Sequence, residues 1–282
     1  MKTTEKILVT GATGQVGRCV VEQLLAEGAS IRVSGRDPRR LPAGVEAVYA
    51  DLTRPETLPA ALDGVGKVFL YTIPDGIGGV VDAAREAGVS QIVLLSSQTT
   101  VDAIPERAPI VEMHRVVEET IAGSGIPYTF LRPENFASNI LMWGWPEMVR
   151  ADGVLHFPFP ESHSDAIHEA DIAAVAVKAL TEPGHEGRSY FLTGPESITQ
   201  REQLEIIGEA IGKPVRYHEL TEAQARAVLS RTVPEWVMDA VIGYWVHSDG
   251  VPSPLTGEVE RLTGAPARSF KQWAADHVAD FT

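Results

Sequence analysis

The sequence predicts an α/β fold: a doubly wound parallel sheet followed by a smaller C-terminal α+β lobe. Three observations carry this. Residues 6–17, KILVTGATGQVG, pass from a short apolar strand through three glycines into an amphipathic helix. Short apolar runs then alternate with helical stretches as far as residue 131, the order of a parallel sheet covered by helices on both faces. From about Phe136 the alternation fades into an aromatic, proline-bearing stretch before helices resume. The domain reading is residues 1–135 for a dinucleotide-binding unit and 136–282 for the lobe, joined in one compact body.

At the opening junction Ile7, Leu8 and Val9 form a buried strand. Val16, Val20, Val21, Leu24 and Leu25 recur on one face of the helix that follows. Gly11, Gly14 and Gly17 stand between and within them at three-residue steps. Gly11 turns the chain off the strand. Gly14, lacking a Cβ, lets backbone approach a pyrophosphate, and Gly17 lets the helix pack close to the sheet. The helix-start N–H groups near Gly14, Gln15 and Val16 then face an anion. The spacing is GxxGxxG rather than GxGxxG, and its meaning comes from the strand–turn–helix context.

A second strand is expected at 31–34, and SGRDPRR follows it. Arg36 stands about twenty residues past the glycine turn, where the ribose 2′ position is read. A guanidinium there grips a phosphate bidentately, which favours NADP(H) over NAD(H). The neighbouring Asp37 leaves a ribose-hydroxyl contact open, and Arg39 and Arg40 read as a solvated turn. Further strands are expected at 46–50, 67–71, 91–95 and 128–131, with helices at 55–62, 76–87 and 109–122. Right-handed crossovers place their carboxyl ends on one rim. That rim holds Asp51-Leu52, Thr72-Ile73-Pro74, Ser96-Ser97 and Arg132-Pro133-Glu134-Asn135. Beyond it, Asp171 is read as capping a helix to Leu180, with a strand at 190–193 and capping boxes at Thr199/Glu202 and Thr221/Gln224. A very apolar helix at 234–246 and a last helix at 269–280 follow.

The whole chain sets the limits. Its 282 residues carry a formal charge of −14, which argues against nonspecific nucleic-acid binding and against anionic membrane surfaces. The one cysteine, Cys19, has no intrachain partner. With no signal-peptide pattern and no transmembrane-length apolar run, a cytoplasmic location is expected. His156, His163, His168 and Glu169 fit no zinc spacing, so no metal is expected. No GxSxG elbow points to an esterase.

These residues resemble one family, the NmrA-like, atypical branch of the short-chain dehydrogenase/reductases. The pieces that carry the resemblance are GATGQVG, the SGR turn, LLSSQT, HRVVEETIAGSG, YTFLRPENFASN and EADIAAVAVKAL, from the opening strand to about Leu220. It implies a Rossmann domain that binds NAD(P)(H) and a small substrate lobe. Relatives include NADPH-dependent quinone reductases and regulators that sense nicotinamide redox state without catalysis. Carried onto this chain, it implies Gly11, Thr13, Gly14, Gln15 and Val16 along the pyrophosphate and Arg36 at the adenosine ribose phosphate. Asp51 and Leu52 flank adenine, and Thr72, Ile73 and Pro74 pass under the middle of the cofactor. Ser96 and Ser97 lie near the nicotinamide ribose; Pro133, Glu134 and Asn135 approach the nicotinamide.

One departure matters. Typical short-chain dehydrogenases carry Tyr-x-x-x-Lys on the helix after the fifth strand. Here that helix offers His114 and Glu118 at the same spacing, on one face, and no tyrosine occurs between Tyr71 and Tyr128. His114 is therefore the expected proton-handling residue, with Ser97 a second catalytic candidate. Glu118 is read either as holding the imidazole tautomer or as a solvated helix carboxylate. A quinone suits such a site, because its reduction yields a stabilised anion that solvent can protonate. Phe136, Trp143, Phe157 and Trp236, with Trp145, His156 and Phe159, are candidates for an apolar cleft or for core packing. The helix around Trp236 is equally a homodimer patch. Two functions follow: an NADPH-dependent reductase of a small aromatic or quinone-like carbonyl compound, or a non-catalytic NADP(H) sensor that signals to a protein partner.

Overall fold

The structure, a computed structural model, describes residues 5–101, 108–230 and 233–282, without the side chains of Ala108 and Trp236. β1 (Lys6–Val9), β2 (Ile31–Gly35), β3 (Glu46–Tyr49), β4 (Val65–Tyr71), β5 (Gln91–Leu95) and β6 (Tyr128–Pro133) alternate with α1 (Gln15–Ala26), α2 (Leu58–Leu62), α3 (Ile77–Glu86) and α4 (Ala108–Ala122). Together with β9 (Arg188–Leu192) the strands form one sheet in the order β3-β2-β1-β4-β5-β6-β9, every neighbouring pair parallel. Period-two alternation divides its side chains between two layers. Ile7 and Val9 of β1 pack with α1 and α7 (Glu169–Thr181). Leu8 packs on the other face with α2, α3 and α4. The expected doubly wound class is the observed one.

The lobe holds α5 (Asn139–Met142), α6 (Trp145–Asp152), β7 (Val154–Phe157), β8 (His163–Ser164), β10 (Ile198–Thr199), α8 (Gln200–Ile211), β11 (Arg216–Glu219), α9 (Glu222–Leu229) and α10 (Glu235–Ser248). α11 (Glu258–Thr263), α12 (Phe270–Asp276) and α13 (Val278–Phe281) end the chain. β7 pairs with β11 and β8 with β10. Trp145, Trp245, Trp273 and Phe157 fill a separate core there.

Three sequence expectations change. A single cut at residue 135 does not part the two units, because α7 and β9 lie beyond it and return to the sheet layer. Asp171 is not the cap of α7: His168 is, its Nδ1 accepting from the N–H of Ala170 at 3.0 Å. Asp171 is buried in the first turn and accepts from the backbone N–H of Arg268 at 2.7 Å and from its guanidinium. The last helix breaks at His277, whose ring is held between Glu169 and Asp280, each at 2.7 Å. Both expected capping boxes are present.

Candidate functional site

The glycine turn does three separate jobs. Gly11 has φ +64°, left-handed backbone that a side chain strains. At Gly17 a Cβ would lie 2.1 Å from the carbonyl oxygen of Gly11, so nothing larger than hydrogen fits under α1. Gly14 is the N-cap of α1 and no side chain caps it, so the first-turn N–H groups that lack helical partners face outward from the rim. They border a cavity of about 690 Å³ at the carboxyl ends of β1, β2 and β4. Gly11, Thr13, Gly14, Gln15 and Val16 line it, as do Arg36, Asp51, Leu52 and Ile73. That volume suits an elongated ligand.

The charges along this groove are sorted. Asp37 accepts from Arg39 Nε at 2.9 Å and from its backbone N–H at 3.1 Å. These bonds hold the Asp37 carboxyl below its ordinary pKa and engage it in its own turn. Arg36 is exposed and borders the cavity, whereas Asp37 does not. Asp51 accepts from the hydroxyl and N–H of Thr53 at 2.8 and 3.0 Å, bonds that depress its pKa, with the Arg36 charge acting in the same direction. The groove thus combines unpaired helix-start donors at its centre with a cation at the end of β2.

A second cavity of about 390 Å³ lies beside the first. Tyr71, Leu95, Phe136, Asn139 and Met142 border both. Thr72, Ser96, Ser97, His114, Glu134, Asn135 and Trp143 line the second alone. Its remaining wall is largely apolar: Ile110 and Met113 from α4, and Val237, Val241, Tyr244 and Trp245 from α10. His114 Nδ1 lies 3.0 Å from Thr72 Oγ1. Ser97 Oγ accepts from the N–H of Thr99 at 3.2 Å. Asn135 is buried, and its side chain lies against the buried Asp165 carboxyl.

Other expected residues stand elsewhere. Phe157 is 1 % exposed and packs between Trp145 and Trp245, with ring centroids at 5.4 and 4.8 Å, so it is core and not cavity wall. Trp145 is core as well, at 0 %. Pro74 and Pro133 border neither cavity. The side chain of Trp236 lies outside the described residues. Glu118 is neither the partner of His114 nor solvated: it is buried, bound by Arg132 at 2.9 and 2.5 Å and by the hydroxyl of Ser96 at 2.6 Å. Sequence reasoning did not single out Tyr71, Asn139 and Met142. Their one signal was position, at the end of β4 and after β6 on the rim where ligands gather. Among the described residues no cluster of three or more His, Cys, Asp or Glu could hold a metal. No described helix is long and apolar enough to cross a membrane.

Comparison with known proteins agrees with this arrangement. The NmrA-like family model matches residues 3–244. A (4-alkanoyl-5-oxo-2,5-dihydrofuran-3-yl)methyl phosphate reductase of Streptomyces griseus is 38 % identical over 98 % of this chain and 99 % of its own. An NAD(P)H azoreductase of Xenophilus azovorans is 37 % identical over 98 % and 99 %. The crystal structure of an NADPH-dependent quinone oxidoreductase from Escherichia coli, complexed with NADPH, superposes with a TM-score of 0.81. It is 28 % identical and covers 96 % of this chain and 99 % of its own. With a family model spanning most of its length and relatives of this identity end to end, the chain belongs to the NmrA-like family.

Proposed function

We propose that the protein is an NADPH-dependent reductase that transfers hydride to a small, flat, conjugated acceptor, aromatic or quinone-like. The observation that carries this reading is the adjacency of the two cavities: a groove bordered by helix-start backbone lies beside a mostly apolar pocket, with five lining residues in common. A binder that only sensed the dinucleotide would need the groove and not the pocket. The relatives fit the same division, since one is named for quinones and another for an azo bond, each reduced at the expense of NAD(P)H.

The groove residues fit the dinucleotide. The N-terminus of α1 would receive the pyrophosphate, Arg36 the adenosine 2′-phosphate, and Asp51 and Leu52 the adenine side. Asn135, on the wall of the second cavity, offers an amide at the end where a nicotinamide would lie. When bound, the reduced nicotinamide supplies hydride. The chain's own residues do the rest. Phe136, Met142 and Trp143 hold a planar acceptor and exclude water. His114 manages the one proton that must accompany each hydride. Thr72 holds its ring in place.

The test is oxidation of NADPH, followed by loss of its absorbance, against a panel of quinones, azo compounds, enones and simple ketones. Turnover with conjugated acceptors and little with isolated ketones is expected. Tight NADPH binding with no turnover across the panel would overturn the enzyme reading in favour of a regulatory binder.

A further inference from the structure

A single buried carboxylate joins three walls of the second cavity. Glu118 lies on α4, one helical turn after His114 and on the same face. Its side chain is 8 % exposed. One oxygen accepts from Ser96 Oγ at 2.6 Å and from Arg132 Nε at 2.9 Å. The other accepts from an Arg132 terminal nitrogen at 2.5 Å. Ser96 immediately precedes Ser97 at the end of β5, and Arg132 immediately precedes Pro133-Glu134-Asn135 at the end of β6. The guanidinium is wedged in turn near the rings of Phe130 and Phe191, 5.9 and 5.5 Å from their centroids. These bonds connect α4, β5 and β6 just beneath the rim that carries His114, Ser97, Glu134 and Asn135.

Stability alone is a poor reason for such a pair. Taking both charges out of water costs about as much as their attraction returns, and apolar residues of similar volume often serve as well or better. Fork-to-carboxylate geometry does supply direction: two parallel bonds fix the angle between strand and helix, which greasy contacts leave soft. In the tyrosine–lysine dehydrogenases the second position of this spacing points a cation at the cofactor. Here the same position faces the sheet.

We propose that Glu118 is a positioning residue for the reduction site: through Ser96, Arg132 and the turn of helix it shares with His114, it sets the second cavity's walls against the nicotinamide end of the groove. The proposal rests on the reductase reading above. It separates two functions of the rim. Dinucleotide affinity comes from the β1–α1 turn and Arg36 and does not depend on Glu118; productive placement of acceptor and proton donor does.

The experiment compares the intact protein with Glu118→Gln and with the double variant Glu118→Met/Arg132→Met. Four quantities are measured: melting temperature, NADPH Kd, steady-state kcat with 1,4-naphthoquinone, and naphthoquinone Kd from quenching of tryptophan emission, since Trp143 and Trp245 line the cavity. The apolar pair should restore melting close to that of the parent and keep NADPH affinity within a few-fold. Its kcat should stay down by about 100-fold, the scale of an ångström's misplacement. Glu118→Gln, which keeps the bond to Ser96 but weakens the fork, should fall between. Return of kcat together with melting temperature in the double variant would overturn the proposal, as would loss of NADPH affinity in step with kcat. If the parent protein turns over no quinone at all, the reductase reading fails by itself. Naphthoquinone Kd then decides on Glu118: weaker binding in the double variant supports the positioning role, and equal binding overturns it.

Discussion

His114 Nδ1 lies 3.0 Å from the hydroxyl oxygen of Thr72, and that hydroxyl donates to the carbonyl of Leu95 at 2.8 Å. A carbonyl only accepts; with the single hydroxyl proton given to Leu95, the oxygen accepts from the imidazole. Nδ1 then carries the hydrogen. A backbone carbonyl on β5 thus fixes the tautomer of a side chain on α4 through a threonine at the end of β4.

His114→Phe should lower kcat by about 100-fold or more, the usual span of general acid–base assistance, and leave NADPH Kd unchanged. Thr72→Val removes only the tautomer lock and should cost less in kcat than the histidine change. Steady-state kinetics beside a cofactor titration checks both, and full turnover in His114→Phe would remove the imidazole from the chemistry.

Arg36 borders the groove while Asp37 is tied to Arg39. Arg36→Ala should weaken NADPH by about 2 kcal/mol, roughly thirtyfold in Kd, the worth of charge-assisted hydrogen bonds. NADH should change little. Calorimetric titration with both dinucleotides measures the ratio, and equal losses would show that another group reads the 2′-phosphate.

Gly17→Ala forces a methyl toward the Gly11 carbonyl, where the gap is 2.1 Å. The helix must retreat from the turn, costing about 1–3 kcal/mol and opening the anion site. A lower melting temperature that added NADPH no longer raises is expected. Undiminished cofactor-induced stabilisation would show that the close approach is dispensable.

The contact between His277 and Glu169 makes stability pH-dependent. Burial works against charging His277, but hydrogen bonds to Glu169 and Asp280 outweigh it and hold its pKa above the ordinary 6.5. Burial likewise opposes ionisation of Glu169, and the bond to His277 reverses that, holding its pKa below the ordinary 4.5. A raised histidine gives stability that is complete below its unfolded pKa and lost as pH rises through the folded one. A depressed carboxyl gives stability that is present above its unfolded pKa and lost as pH falls through the folded one. The contact is therefore fully effective between about 4.5 and 6.5. His277→Gln should cost about 1–2 kcal/mol near pH 6 and progressively less above neutrality. Denaturant melts across pH test this, and a difference that stayed constant would refute it.

Much of the groove was legible in the sequence because its demands are local. A glycine that must turn, a glycine that must touch backbone and an arginine at a fixed distance along the chain are all properties of neighbours in sequence. The pocket was less legible because it is assembled from separate elements. Glu118 reads as an ordinary helix carboxylate until Arg132, fourteen residues on, folds against it. Phe157 and Trp143 look alike as aromatic residues in a loop-rich stretch. Both pack in the lobe core, and only tertiary packing brings Trp143 to the cavity wall as well. The strand at 190–193 was visible as a strand, but nothing nearby shows that its partner is β6.

That distant pairing bears on how an acceptor enters. The chain leaves the sheet after β6 and comes back through α7 to β9, and the two strands of this departure meet at a neck. There Ala137 N–H donates to Ile167 at 2.9 Å and Ile167 N–H to Asn135 at 2.8 Å, while Gly194 N–H clasps Asp165 at 2.7 Å. Swinging the C-terminal lobe away as a rigid flap would tear these bonds, each worth about 1 kcal/mol, beside Asn135 on the wall of the second cavity. The lobe is moored at its base rather than hung on one hinge. At the margin of the pocket stand the more exposed Met142, at 49 %, and Tyr71, at 38 %.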